Sequence, residues 1–107
     1  MRHTLLLLCL ALSLTPEHIK RVVDGDTFIL FHVGVPNEER VRLLGVDTPE
    51  RGEPGYAEAT AFTSQWLKAG SATLTACKRD SFGRLLATVE RDGHTVAADL
   101  IAAGHGH

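Results

Sequence analysis

The run Arg42-Leu43-Leu44-Gly45-Val46-Asp47-Thr48-Pro49-Glu50 decides how this chain is read. An apolar, strand-like stretch from Arg40 to Val46 ends abruptly in an acidic turn, so carboxylates stand at the mouth of a strand. Working outward, Asp24-Gly25-Asp26-Thr27 has the same character and reads as a hairpin turn between strands at Ile19–Val23 and Phe28–Val35, the second closing at Val35-Pro36-Asn37. On the other side, Asp80-Ser81-Phe82-Gly83-Arg84 is a polar turn joining β-like runs at Ala72–Cys77 and Leu85–Glu90. Between these groups the period changes. Ala59, Phe62, Trp66 and Ala69 recur at three and four, which predicts a helix over Ala57–Ala69 closed by Gly70. A second, short helix is predicted over Val96–Ala103, stopped by Gly104, and Arg51–Gly55 reads as a mobile surface loop.

Five short strands interrupted by one helix, with another appended, predict a mainly β (α+β) fold. A five-stranded OB-type barrel satisfies that count, with another small α+β sheet as the alternative. At 107 residues the chain is one domain with little core to spare. A formal net charge of −2 excludes a broadly basic nucleic-acid coat. Any grip on nucleic acid must then come from clusters such as Lys20-Arg21 or Lys78-Arg79, or from a bound metal.

The first sixteen residues read as an apolar leader. Arg2 and His3 precede a leucine-rich run from Leu5 to Leu14, too short for a bilayer span of about 20 residues. It fits the apolar core of a secretory signal, with Ala11-Leu12-Ser13 as the cleavage site, or else a misassigned start or an extra apolar element packed on the domain. Residues 17–104 are expected to form the domain and 105–107 a frayed tail, with His105 and His107 without function. Cleavage would make the protein secreted or periplasmic; without it the protein is cytoplasmic. Cys9 and Cys77 lack metal-pair spacing, and Cys77 in its strand reads as a small buried residue. His18, His32 and His94 lie on separate elements, and no ligand role is assigned to them.

Carboxylates hold hard divalent cations and arginines grip phosphate, so the three acidic turns together suggest metal-assisted phosphodiester cleavage. Singly, each motif has a plainer meaning: a hairpin turn, a turn capped by Asp47, arginines in surface ion pairs. Their order in so short a chain raises the functional reading. From Ile19 to Gly104 the sequence resembles the staphylococcal nuclease-like (thermonuclease) family, through Val22-Val23-Asp24-Gly25-Asp26-Thr27-Phe28, the Arg42–Glu50 run, and Asp80-Ser81-Phe82-Gly83-Arg84-Leu85-Leu86-Ala87.

The resemblance implies an OB-type barrel and a calcium-dependent nuclease acting on DNA and RNA, with 3′-phosphate products. By motif position it implies Asp26, Asp47 and the Thr48 carbonyl as calcium ligands, and Arg42, Glu50 and Arg84 as the catalytic trio. Glu50 would act as general base, and Arg42 and Arg84 would bind and stabilise the phosphoryl group. A monomer is expected, with no stable membrane association after processing. Three departures are visible. Phe82 stands where the family motif has tyrosine, the loop after Glu50 is poor in lysine, and the sequence stops where relatives continue into a further strand and helix. Marginal stability is therefore expected. The alternative is a nuclease-like module that binds nucleic acid or protein without cutting.

Overall fold

A computed structural model of the chain describes residues 9–31 and 38–107. The far half of the predicted strand over Phe28–Val35, its closing turn at Val35-Pro36-Asn37, His32, and the start of the leader lie outside these residues. Among the described residues seven strands form one sheet: β1 (Leu10–Leu14), β2 (Ile19–Asp24), β3 (Thr27–Leu30), β4 (Glu39–Leu43), β5 (Ala72–Arg79), β6 (Leu85–Arg91) and β7 (His94–Thr95). Two helices accompany them, α1 (Tyr56–Lys68) and α2 (Val96–Ala102). The mainly β class with one inserted and one terminal helix is as expected. The five predicted strands are β2 to β6, and the structure adds β1 and β7.

The hydrogen-bonded path runs β1-β5-β6-β4-β3-β2, with β7 pairing β6 beside it, and its two ends stay open. Neighbours are antiparallel except β4 and β6, which run parallel. A parallel pair needs a crossover, and here α1 and β5 supply it. Alternation fixes the inner face: Phe28 and Leu30 on β3, Val41 and Leu43 on β4, Leu74 on β5, and Ala87 and Val89 on β6 are all buried in one core. Trp66 and Leu67 close this core from α1, and Leu100 from α2. The helices are tied to each other as well. The Trp66 indole donates to Asp99 at 2.8 Å, and Arg91 stacks 3.9 Å above its ring.

Two expectations about the chain's margins change. Leu10–Leu14, part of the predicted leader, is a strand that covers the edge of β5, and Leu14 is buried in the core. Cys77 is exposed rather than buried, and it forms a disulfide with Cys9 across sixty-eight positions. A register irregularity between Ala76 and Lys78 places Cys77 at a bulge, which turns it out of the alternation that buries Leu74 and Ala76. The plainer account of the apolar leader, an element packed on the domain, thus describes residues 10–14.

Candidate active site

The turn between β2 and β3 supplies the first acidic group. Asp26 is only 6% exposed, although a carboxylate is among the costliest groups to bury. Its oxygens are satisfied by three donors. Thr27 Oγ1 donates to Oδ1 at 3.0 Å, the Thr48 amide to Oδ2 at 3.0 Å, and Arg42 Nη1 lies 3.4 Å from Oδ2. The turn itself is clamped from α1: Tyr56 donates to the Val23 carbonyl at 2.7 Å, and the fully buried Thr63 to the Gly25 carbonyl at 2.6 Å. Gly25 is required by crowding. A Cβ there would lie 2.8 Å from the Thr48 side chain.

Arg42, on the outward face of β4, ties the second acidic turn to the first. Its Nη1 donates to the carbonyls of Leu43 and Val46, each at 2.8 Å, and its Nη2 to Asp47 Oδ1. Asp47 is otherwise largely solvated, its side chain 67% exposed. Glu50 follows on the surface. Its amide donates to Glu53 Oε1 at 2.6 Å, while its own carboxylate has no partner among the described residues. The stretch read as a mobile loop is thus a hydrogen-bonded turn, with Glu53 N on the Glu50 carbonyl and Tyr56 N on that of Glu53.

Arg84 arrives from the turn between β5 and β6. Asp80 organises that turn by accepting from the amides of Phe82 and Arg84, each at 2.9 Å, and from Arg84 Nε at 2.6 Å. Partial burial pushes the Asp80 carboxyl up, but these donors together hold it below the usual range. The terminal Nη groups of Arg84 stay free of partners among the described residues. Phe82 is 83% exposed, with the Arg84 guanidinium 5.5 Å from its ring.

Asp26, Arg42, Asp47, Thr48, Glu50 and Arg84, spread over fifty-nine positions of sequence, line one cleft of about 530 Å³. Asp24, Glu53 and His107 line it too, and the motif reading had missed all three in this role. The signal for Asp24 was present, two residues before Asp26. For His107 there was none. The tail expected to fray is packed: His107 and Asp47 exchange both backbone hydrogen bonds, at 2.8 and 3.0 Å, and His105 lies against Phe62. Gly106 fits so closely that a Cβ there would lie 2.7 Å from the Asp47 carbonyl oxygen.

The cleft has more negative charge than its arginines neutralise. Burial first, and then the neighbouring Asp26 carboxylate, push Asp24 up to about 6. The Thr48 hydroxyl is buried without a partner among the described residues. Among the described residues no three acidic, histidine or cysteine side chains meet as a ready-made metal centre, since Arg42 engages both Asp26 and Asp47. The donor chemistry nevertheless fits a hard cation: clustered carboxylates, hydroxyl oxygen, and neither sulfur nor a convergent histidine pair.

The chain is similar to known proteins over most of its length. Residues 40–107 match the model of the family described as staphylococcal nuclease homologues. That span includes every cleft residue from Arg42 onward. The chain is similar to a thermonuclease of Staphylococcus intermedius, 42% identical over 79 residues, which covers 66% of this chain and 46% of that protein. It is also similar to two Bacillus subtilis (strain 168) proteins. These are the SPbeta prophage-derived endonuclease YokF, 37% identical over 95 residues (80% of this chain, 31% of that one), and the endonuclease YncB, 36% identical over 95 residues (80% and 44%). The chain thus spans from about a third to a half of the length of these relatives. Because the family match covers more than half of the sequence and carries the arginines and acidic residues that meet in the cleft, the chain belongs to the staphylococcal nuclease homologue family.

Proposed function

We propose that this protein is a nuclease that hydrolyses phosphodiester bonds of DNA, RNA or both, using a bound divalent cation. The observation that carries the reading is the meeting of Arg42, Glu50 and Arg84 with the Asp24–Asp26 and Asp47–Thr48 turns in one open cleft. Family membership and the names of the relatives support it. Asp26, Asp47 and the backbone of Thr48 would hold the cation, with calcium as the ion the family resemblance implies. The ion would supply polarisation of a phosphoryl oxygen and orientation of a water molecule.

This chain's own residues do the rest. Arg84, held through Nε by Asp80, keeps its terminal nitrogens for two phosphate oxygens. Arg42 is fixed by two carbonyls and two carboxylates, so its direction toward the cleft does not have to be organised when substrate binds. The Glu50 carboxylate, exposed and unpaired among the described residues, takes a proton from attacking water. Phe82 takes the place of a tyrosine, so that position offers the substrate a ring and no hydroxyl.

The test is cleavage of labelled single-stranded DNA and RNA in calcium and in chelator. Cleavage should stop in chelator and fall about 10²- to 10⁴-fold in Glu50→Ala. Full activity in either case would overturn the mechanism.

We further propose export, with residues from Cys9 onward retained. A disulfide persists in oxidising compartments. A cut after Ser13 would remove both Cys9 and most of β1. The intact mass of the exported protein decides: a chain beginning after Ser13 contradicts retention.

A further inference from the structure

The sequence offers Lys20-Arg21 and Lys78-Arg79 as the local clusters from which a grip on nucleic acid could come. In the structure Arg21 pairs in register with Ile29 of β3, and Ile29 with Arg40 of β4. Partners in antiparallel register share a face. On β3 and β4 the inner face is occupied by Phe28, Leu30, Val41 and Leu43, so Arg21, Ile29 and Arg40 form a row on the outer one. Arg21 and Arg40 are exposed, and neither has an ion-pair or hydrogen-bond partner among the described residues. Ile29 between them is 8% exposed. Phe31, directly after the end of β3, is a large exposed aromatic at 45%, and its amide is fixed on the His18 carbonyl at 2.9 Å. On β4 the outward residue after Arg40 is Arg42, about 7 Å along the strand. The row therefore lies alongside the cleft-lining row of Asp24, Thr27 and Arg42.

Two neighbouring members of the basic clusters are engaged. Arg79 is engaged by Glu39 through both terminal nitrogens and by the Gly83 carbonyl. Lys20 is paired with Glu38. In a chain of formal charge −2, two arginines without partners among the described residues flank Ile29, with an exposed aromatic ring beside them. Exposed cations on two strands of the sheet with an exposed ring beside them match single-stranded polynucleotide, whose phosphates repeat and whose bases offer π-faces.

We infer that the outer face of β2, β3 and β4 is a track for single-stranded polynucleotide leading out of the cleft. Arg21 and Arg40 bind backbone phosphates there, and Phe31 stacks with a base. The track deepens the nuclease reading and rests on it for its direction. It makes the enzyme's preferred substrate a strand long enough to cover both cleft and sheet. Phosphodiester charge and base stacking are common to DNA and RNA, so oligothymidylate and oligouridylate are tested side by side.

Binding is measured without relying on cleavage, by fluorescence anisotropy of labelled oligomers of about 3 and about 16 nucleotides, across a salt series. The parent should bind the long oligomers more tightly than the short ones. The double variant Arg21→Gln/Arg40→Gln should weaken the long oligomers about tenfold, leave the short ones unchanged, and reduce the salt slope by about 1.4, the loss of two single-strand phosphate contacts. Phe31→Ala should weaken the long oligomers about fivefold or more with no change in slope. Arg21→Lys/Arg40→Lys, which keeps both charges, should retain most of the affinity. A double Gln variant that binds long oligomers as the parent does, or that weakens short and long ones equally, overturns the track. So does a parent that makes no distinction of length. A parent that binds by this pattern yet never cleaves would instead overturn the nuclease reading.

Discussion

The two arginines of the cleft are held in opposite ways. Arg84 is positioned by its own turn: Asp80 lies four residues upstream, and the same carboxylate that fixes the guanidinium also closes the backbone of the turn. Arg42 is positioned by distant chain. Its partners are Asp26, sixteen residues upstream in the turn between β2 and β3, Asp47, and two carbonyls of the strand's own exit. One arrangement is local, partly solvated and cheap to assemble. The other is a network, buried on its Asp26 side, that joins two acidic turns, so it belongs to stability as much as to chemistry. The difference teaches that residues assigned the same chemical role can have unequal structural roles.

The largest expected effect separates them. Arg42→Met should leave the nearly buried Asp26 without its cation and the Leu43 and Val46 carbonyls without their donor. Removing one partner of such a pair costs about 3–5 kcal/mol, read as a fall in the urea midpoint. Arg84→Met should leave the midpoint nearly where it is while lowering kcat about 10²- to 10³-fold. Equal loss of stability in the two variants would erase the distinction.

A smaller effect sharpens the buried side of the comparison from its far end. Gly106→Val places carbon atoms where the Asp47 carbonyl already stands, so the Asp47 turn must move. The cost expected is about 1–3 kcal/mol, with activity down about tenfold or more through misplacement of the carboxylate. Parent-like activity in a folded Gly106→Val protein would show that the tail does not set the Asp47 position.

The smallest effect tests the local side. Asp80→Asn keeps an oxygen for the turn amides but loses the charge, and should lower Tm by a few degrees with a modest fall in kcat. Because the folded Asp80 carboxyl sits below its ordinary value, its stabilisation is present above the usual carboxylate range and fades as pH falls through the lowered value. The Asn variant should therefore lose less stability than the parent on acidification. Parallel pH profiles would show that Asp80 contributes nothing through its charge.

The sequence by itself determined what nearest neighbours decide. Apolar runs bounded by turn residues named the strands β2 to β6, the three-and-four spacing named α1, and the acidic turns announced themselves because turn chemistry is written over four or five residues. Even the Asp80–Arg84 pair was within that reach. Tertiary structure decided whatever depends on chain segments meeting across space. It set the burial of Asp26 beneath Thr48, the fixing of Arg42, the docking of residues 105–107 on Asp47, the strand at Leu10–Leu14, and the pairing of Cys9 with Cys77. A leucine-rich run has the same composition whether it is a leader or an edge strand, and a Gly-His tail looks frayed until a surface that fits it is known. Such questions are settled by which partner is available at contact distance, and that partner lies tens of residues away in the sequence.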